Sequence, residues 1–395
     1  MKYKGLTIGI PKEILTGERR AAATPETAAR LVQEGARVLV QSGAGAGAFF
    51  HDEEYTSVGA QITSDVREIF AESDVILKVK EPRCNPELGL DELDLFRAGQ
   101  VLIAFLHPAA PVNHERVRRL AERGVTSLTL DSVPRISRAQ TMDALTSMST
   151  VAGYKAVISA ANRLPKFLPM LGTAVGMVQP AKVLVIGAGV AGLQALATAK
   201  RLGAVVTACD IRPDADEQAR SLGAKTIELG IPPEMALGEG GYARALPAEL
   251  MRKEREILQP YVTEADIVIL SALVPGQRAP ILLTQEMVES MQPGSIIVDI
   301  SIDQGGNCEL TEAGRTIEHQ GVLIDGTQNI PGTVPVSATT LFAKNILNFV
   351  NHVLLEGGAL NLEDEITAET LVTYQGEILH AGALAAMNLQ QEGSA

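Results

Sequence analysis

The sequence predicts an α/β protein of two domains, each built on a doubly wound parallel sheet. Three observations lead to this prediction. The chain has 395 residues, enough for two domains with sizeable cores. Short apolar runs alternate with helix-like segments in both halves, which is typical of βαβ units. The chain has no Trp and 4% aromatic residues, so its cores are aliphatic, as in layers around buried parallel strands.

The first half begins with a strand–helix–strand pattern. Residues 6–12 and 36–43 are apolar runs that predict short buried strands. Between them, residues 24–35 predict a helix, because Thr24 is a good N-cap and Pro25 fits the first helical position. The same reasoning predicts strands over 75–80, 100–107 and 126–131 and a helix over 113–124.

A second strand–helix series follows a predicted connection. Residues 138–163 predict one long helix, and residues 164–180 predict a loop because they carry Pro and Gly. Residues 337–355 have apolar spacing of three and four and predict a helix that returns to the first domain. The predicted strands of the second series are 183–187, 205–210, 225–229, 265–273, 295–301 and 322–325.

These elements predict the domain organisation. The first domain is discontinuous and comprises residues 1–137 plus 330–395, and residues 138–329 form the second. We expect a cleft between the two domains.

The segment 181–212 is the most informative stretch of the chain. Gly187, Gly189 and Gly192 have G-x-G-x-x-G spacing between an apolar strand and an apolar helix-like run. The first glycine permits a tight turn, the second lets the backbone approach a pyrophosphate, and the third lets helix and strand pack closely. Asp210 ends the next strand, where a carboxylate accepts the hydroxyls of an adenosine ribose. The pattern predicts a Rossmann-like NAD(H) site; the alternative is an ordinary glycine-rich turn.

Arg212 bears on the choice of cofactor. The acid at 210 favours NAD over NADP because it repels a 2′-phosphate, whereas a nearby arginine can accommodate that phosphate.

Composition excludes several classes of protein. The formal net charge of −13 argues against non-specific binding of nucleic acid or anionic membranes. Cys84, Cys209 and Cys308 are widely spaced, which predicts neither a disulfide framework nor a zinc site and fits a reducing cytoplasm. The histidines have no metal-ligand spacing, so we expect no metal. The apolar stretch 183–199 is too short and too interrupted for a membrane span, and the start of the chain predicts no signal peptide.

A polar cluster lies at the predicted domain junction. Arg135, Arg138, Gln140 and Asp143 fall within nine residues and supply donors and acceptors suited to the amide and ribose of a nicotinamide. They equally fit a polar first turn of the linking helix, with Asp143 near its positive end.

A second cluster follows the strand predicted over 295–301. Asp299 and Asp303 are candidate acids there, with Gln304 and Asn307 nearby, because ligands bind outside the carboxyl ends of parallel strands. A strand-end turn with capping polar groups is the alternative.

A third set is scattered along the first domain. Arg20, Lys80 and His107 lie at or near predicted strand ends. With Asp303 they could bind a 2-oxo acid, with Arg and Lys clamping carboxylate and carbonyl and His acting as general acid/base. Alternatively, the histidine is merely packed at its strand end and the lysine is solvated.

These motifs resemble those of the NAD(H)-binding component of proton-translocating nicotinamide nucleotide transhydrogenase and, more distantly, of alanine dehydrogenase. The resemblance covers essentially the whole chain. Its motifs are PRISRAQxxDAL (134–145), VIGAGVAGLQA (185–195), DIRP (210–213), GGYA (240–243) and GGNC (305–308).

The resemblance implies roles for individual residues. Arg135, Gln140 and Asp143 would contact the nicotinamide and its ribose, with Leu145 beside them, and Gln140 and Asp143 would be the catalytic-site residues. The roles implied for the remaining positions are pyrophosphate binding by Gly187, Gly189, Val190 and Gly192, adenosine-ribose binding by Asp210 with Arg212, and closure over the nucleotide toward a partner by Gly241 and Tyr242.

The resemblance also implies an activity and its partners. Hydride would pass from NADH on this chain to NADP on a separate component, coupled to proton movement through a membrane-spanning component. The chain would be a cytoplasmic subunit, peripheral to the membrane through its partners, and a homodimer. Direct transfer between two nicotinamides needs no side-chain acid or base, so catalysis is the positioning of two rings.

Four positions depart from the transhydrogenase pattern. Thr146 stands where that family commonly has Ser, and a hydroxyl is retained. Lys80, His107 and Asp303 are what alanine dehydrogenases carry, with Arg20 completing their pyruvate site. An NAD-dependent alanine dehydrogenase is therefore the second hypothesis, and a nucleotide-binding regulatory protein without turnover is the third.

Overall fold

The computed structural model describes residues 1–238, 243–274 and 278–392. The chain forms two compact units. Unit 1 comprises Met1–Met148 and Gly332–Ala395, and unit 2 comprises Ser149–Pro331. The boundaries predicted after residues 137 and 329 fall earlier in the chain than both of these.

The secondary structure alternates strands and helices. The strands are β1 (Thr7–Ile10), β2 (Arg37–Gln41), β3 (Gln61–Thr63), β4 (Val75–Lys80), β5 (Cys84–Asn85), β6 (Leu90–Asp91), β7 (Val101–Phe105), β8 (Thr126–Thr129), β9 (Leu171–Thr173), β10 (Gly176–Val178), β11 (Lys182–Ile186), β12 (Val205–Cys209), β13 (Lys225–Thr226), β14 (Ile267–Leu270), β15 (Ile296–Asp299), β16 (Thr316–His319), β17 (Val322–Asp325), β18 (Leu371–Tyr374) and β19 (Glu377–Ile378). The α-helices are α1 (Pro25–Gln33), α2 (Asp52–Ser57), α3 (Val66–Glu72), α4 (His114–Glu122), α5 (Ala144–Arg163), α6 (Val190–Arg201), α7 (Pro213–Ser221), α8 (Pro233–Ala236), α9 (Ala248–Glu264), α10 (Gln285–Glu289), α11 (Pro335–Val353), α12 (Glu365–Thr370) and α13 (Ala381–Glu392).

Unit 1 is built on one sheet with the strand order β19-β18-β8-β7-β4-β1-β2-β3. The strands from β8 to β3 pair in parallel, and β18 pairs with β8 in antiparallel. The parallel strands are continuous apolar runs because helices cover both faces. The C-terminal strands β18 and β19 extend this sheet, so both ends of the chain contribute to the unit.

Unit 2 has the strand order β13-β12-β11-β14-β15-β17-β16. All pairs are parallel except the hairpin of β16 and β17. Alternate side chains of β11 enter two separate cores: Val183 and Val185 pack in one, and Leu184 and Ile186 in the other. The chain order reverses between β11 and β14, and such a switch point is where open α/β sheets bind ligands.

The helix predicted over 138–163 is wrong in its first turns. Ser137–Met142 form a 3₁₀ helix, and α5 begins only at Ala144. Asp143 separates the two with a non-helical backbone (φ −72°, ψ 85°). Its carboxylate accepts the Thr146 N–H at 2.7 Å, which is the geometry of a capping residue.

Two further predictions are corrected. Residues 164–180 are not all loop, because β9 and β10 form an antiparallel hairpin there. The strand predicted over 225–229 is reduced to the two residues of β13. Ile227 and Leu229 are buried in the unit 2 core without belonging to a strand, which is why the apolar run is longer than the strand.

Candidate functional site

The turn between β11 and α6 requires two of its glycines for internal reasons. Gly187 has φ +92°, and a Cβ there would lie 2.7 Å from the Ala272 nitrogen. A Cβ at Gly192 would lie 1.9 Å from the Gly187 carbonyl oxygen. Any larger side chain at either position would displace backbone, so these glycines serve the tight turn and the close packing of helix on strand.

Gly189 is different. It is the N-cap of α6, with an ordinary φ of −73°, and a Cβ there would meet, within 4 Å, only the Arg212 Nη2 atom at 3.6 Å. Neither backbone strain nor packing demands glycine at this position. An absent side chain at the N-terminus of a 12-residue helix instead leaves room for an anion against the helix N–H groups. The residues present therefore fit the pyrophosphate of a dinucleotide.

Asp210 organises the end of β12 next to this turn. Its Oδ2 accepts the Ala188 N–H at 2.8 Å, and its Oδ1 accepts the Arg212 N–H at 2.9 Å. The guanidinium of Arg212 donates to both carboxylate oxygens, and this bonding raises the pKa of Arg212 above its ordinary value. The arginine is thus engaged with the acid.

Two more carboxyl groups lie near Asp210. Burial raises the pKa of Asp216 to about 6 and that of Glu254 to about 7, and the charge of Asp210 contributes to both shifts. Glu254 is only 4% exposed. Sequence analysis missed both groups; Glu254 looks like one of several acids on the polar helix α9.

The polar loop of residues 133–143 belongs to unit 1. Arg135 and Gln140 are exposed on it, and Leu145 at the start of α5 is 39% exposed. The Asp143 carboxylate accepts both the N–H and the hydroxyl of Thr146, at 2.7 and 2.6 Å. The polar first turn weighed as an alternative is therefore present, and the exposed side chains of the loop lie where they can act as donors and acceptors.

Three of the residues expected to bind a 2-oxo acid lie in unit 1. Arg20 follows β1, Lys80 ends β4, and His107 follows β7, and these three strands are neighbours in the sheet. Arg20 is buried, and its Nε donates to Glu18 Oε1 at 2.8 Å.

His107 forms a tight pair with an acid that sequence analysis missed. Its Nδ1 lies 2.8 Å from Asp131 Oδ1, and its backbone N–H donates to Asp131 Oδ2 at 2.7 Å. His107 has φ +45°, a left-handed conformation that costs a non-glycine residue on the order of 1 kcal/mol and occurs preferentially at functional sites. Asp131 follows β8, directly beside β7, and this order of strand ends is the sequence feature that could have revealed it.

The charges around this pair shift both pKa values. Burial and the nearby Lys80 lower the pKa of His107, but Asp131 outweighs them and the net shift is upward. Burial raises the pKa of Asp131, but bonding to His107 and Thr129 lowers it more, to about 2. The histidine Nδ1 therefore donates to a carboxylate, which orients the ring and leaves Nε2 for proton exchange.

The fourth residue of that set and its neighbours lie in unit 2. Asp303 is exposed, and its Oδ2 accepts the Asn329 N–H at 3.2 Å. Asp299, the other candidate acid, is fully buried, and its carboxylate accepts backbone N–H groups of Asn307 and Cys308 at 2.8 and 3.1 Å. Asp299 therefore braces the turn after β15, and assigning it an acid role is wrong.

The expected lid falls partly outside the described residues. Gly241 and Tyr242, with residues 239 and 240, are not described. Over the ranges that the structure describes, no group of three or more His, Cys, Asp and Glu could hold a metal ion. Within the same residues, no helix is long and apolar enough to cross a membrane.

The fold and the glycine turn define a dinucleotide-binding α/β protein with two Rossmann-like domains. Family models place it more closely. The alanine dehydrogenase/PNT N-terminal domain matches residues 9–152, and the C-terminal domain of the same family matches residues 156–381. The chain belongs to the alanine dehydrogenase/PNT family.

Both branches of this family are among its relatives. The chain is 45% identical over 379 residues to an NAD(P) transhydrogenase subunit alpha of Rhodospirillum rubrum, covering 95% of this chain and 98% of the relative. It is 35% identical over 387 residues to alanine dehydrogenase of Bacillus subtilis, covering 94% and 93%. The crystal structure of transhydrogenase from Sinorhizobium meliloti superposes with a TM-score of 0.82 at 41% identity, covering 94% of this chain and 99% of that one.

Proposed function

We propose that this chain is the NAD(H)-binding subunit of a proton-translocating NAD(P) transhydrogenase. The observation that carries the proposal is the free space at Gly189 beside an Asp210–Arg212 pair, in a chain similar over nearly its whole length to transhydrogenase alpha subunits. When bound, NADH supplies the hydride that passes to NADP on a partner.

The charges near Asp210 support NADH over NADPH as the ligand. A 2′-phosphate would meet the carboxylate of Asp210, with Asp216 and Glu254 close by. Arg212 could offset that repulsion only by giving up its two bonds to Asp210. Asp210 would bind the adenosine ribose, and Gly187, Gly189, Val190 and Gly192 would bind the pyrophosphate.

The residues of the polar loop would position the nicotinamide end. Arg135, Gln140 and Asp143 would contact the ring amide and its ribose, with Leu145 packing beside them. No proton transfer is required of them, since hydride transfer between two nicotinamides depends on alignment and distance. Gly241 would close over the nucleotide.

The proposal includes partners. An NADP-binding component and a membrane-spanning proton channel would complete the complex, and the chain would work in the cytoplasm at the membrane surface. A second copy of the chain would pack on the β9–β10 hairpin. That hairpin carries side chains that are exposed and apolar, with Val175 at 99% and Met177 at 63%, and an isolated two-stranded hairpin is marginal without such packing.

Reconstitution tests this function. Purified chain plus the NADP-binding component should transfer hydride from NADH to NADP⁺, whereas either protein alone should not. Saturable NADH binding with no transfer in the mixture would contradict the proposal.

A second candidate function is supported by the His107–Asp131 pair. A histidine oriented by a carboxylate at 2.8 Å, on strand ends next to Lys80 and near Arg20, suits acid/base work on a 2-oxo acid, as in an NAD-dependent alanine dehydrogenase. NADH oxidation by the chain alone with pyruvate and ammonium tests it. Turnover that His107→Ala abolishes would support this function, and absence of turnover would remove it.

A further inference from the structure

One face of helix α11 carries three polar side chains at helical spacing. Asn345, Asn348 and His352 are separated by three and four residues, which places them in a row along one side of the helix. The opposite side packs into the unit 1 core through residues such as Phe342, Ile346 and Phe349. The helix is therefore a fixed support for whatever this polar row holds.

Two members of the row bind the same peptide group of the polar loop. The Nδ2 atoms of Asn345 and Asn348 donate to the Thr141 carbonyl oxygen, at 2.9 and 3.2 Å. A carbonyl oxygen has two acceptor positions, so both are used and the peptide plane after Thr141 is fixed. Thr141 directly follows Gln140 and lies two residues before Asp143.

The third member reaches the loop through an intermediate acid. The Nε2 atom of His352 lies 2.8 Å from Asp364 Oδ1, and Asp364 Oδ2 accepts a hydrogen bond from Arg138. Arg138 also reaches Glu365 at 3.4 Å. The loop is thus held at Arg138 and Thr141, on both sides of Gln140.

Asn345 is held at a cost in hydrogen bonding. It is 7% exposed, and its Oδ1 is buried without a hydrogen-bond partner among the described residues. Leaving such an atom unsatisfied costs roughly 1–3 kcal/mol, so packing alone would favour an apolar residue. The bond from its Nδ2 to the loop is the contact that distinguishes it from leucine.

We propose that Asn345 and Asn348 are positioning residues, which hold the polar loop so that Gln140 and Asp143 meet the nicotinamide in a reactive geometry. This inference rests on the proposed function. Neither asparagine touches cofactor in this scheme; both act through the Thr141 carbonyl.

The test compares three variants with a matched control on the same helix. N345A/N348A removes both donors, and Asn348→Ala alone is the milder version for use if the double variant is unstable. Asn345→Asp keeps the shape but points acceptor oxygens at the Thr141 carbonyl. Asn351→Ala is the control, because Asn351 lies on α11 but accepts a hydrogen bond from Tyr3 and does not hold the loop.

Two readouts separate positioning from general stability. In the reconstituted reaction, the double variant should lose about ten- to hundredfold in kcat, as expected for misalignment on the order of 1 Å, while its Kd for NADH changes by less than about threefold. Trypsin should cleave several times faster after the exposed Arg135 and Arg138, as measured by peptide mapping. Asn345→Asp should equal or exceed the double variant, and Asn351→Ala should match wild type.

The outcomes distinguish the two proposals. Wild-type kcat and wild-type trypsin cleavage in the loop variants would overturn the positioning role. Equal losses in kcat, NADH affinity and Tm would likewise overturn it in favour of a purely structural role. An inactive wild-type mixture would contradict the proposed function, and the trypsin comparison would still decide whether the asparagines hold the loop.

Discussion

The Arg212 guanidinium and the Asp210 carboxylate are joined by two parallel hydrogen bonds, Nε to Oδ1 and Nη2 to Oδ2, each 2.9 Å long. A bidentate pair of this kind fixes both groups. It also decides between two opposite effects, because an arginine beside the acid can attract a 2′-phosphate only if it is free to turn. Here the arginine completes the acid site.

Replacing the acid should therefore alter cofactor preference. We expect Asp210→Asn to weaken NADH binding by about tenfold, or ~1.4 kcal/mol, because the ribose loses a charged acceptor. NADPH binding should improve relative to NADH, since Arg212 is released. Titration of both nucleotides by fluorescence measures this. Arg212→Ala is the matched variant: if it improved NADPH binding as much as Asp210→Asn, the assignment of Arg212 to the acid would be wrong.

The three glycines of the turn should separate stability from binding. Gly192→Ala places a Cβ 1.9 Å from a backbone oxygen, so it should lower the free energy of unfolding by ~1–3 kcal/mol. Gly189→Ala meets only the end of a flexible side chain at 3.6 Å, so Tm should stay within about 1 °C of wild type. The Gly189 variant should nevertheless lose at least about tenfold in NADH affinity, because its methyl group occupies the proposed pyrophosphate position. Unchanged affinity would place the pyrophosphate elsewhere.

The strands and the glycine turn could be predicted from sequence because local patterns encode them. Val75–Lys80 and Val322–Asp325 are strands with the predicted bounds, since continuous apolar runs of that length have few other solutions. The capping of α1 by Thr24 is equally local, and its capping box is present. Asp143 is harder to predict, because an acid before a helical pattern is compatible both with a cap and with the first turn.

The remaining features depend on contacts between distant residues. Asp131 was missed because its role comes from the neighbouring strand that carries His107. The asparagines of α11 look like an ordinary polar helix face until Thr141, about 200 residues earlier, is placed against them. The β9–β10 hairpin was missed because its side chains are largely exposed, which removes the burial pattern that predicts strands.

The His107–Asp131 pair predicts a defined pH window for stability. The raised pKa of His107 contributes stability below the unfolded value of about 6.5, which is lost as pH rises through the folded pKa. The lowered pKa of Asp131, about 2, contributes stability above the unfolded value of about 3.9, which is lost as pH falls. Wild type should therefore exceed His107→Gln in Tm most between about pH 4 and 6.5. A constant difference from pH 4 to 9 would contradict the ion pair.

Glu254 predicts a pH effect of opposite sign. Burial, and then the charge of Asp210, raise its pKa to about 7, so the folded state binds a proton that the unfolded state releases above about pH 4.3. Folded stability should fall as pH rises from about 4.3 to 7 on account of this group. Glu254→Gln should then raise Tm at pH 8 and match wild type at pH 4. Glu256→Gln, an exposed acid on the same helix, is the control and should leave Tm nearly unchanged at both.

The exposed hairpin predicts the state of association. Val175→Asp and Met177→Lys place charges on side chains that are 99% and 63% exposed, so neither should disturb folding of the single chain. If a second copy covers the hairpin, burying these charges should favour dissociation. Light scattering after size exclusion should give twice the chain mass of 41.8 kDa for wild type and approach 41.8 kDa for the variants. Val112→Asp, at a 79% exposed valine in unit 1, should leave the mass unchanged. A monomeric wild type, or variants that keep the doubled mass, would show that the hairpin does not mediate dimerisation.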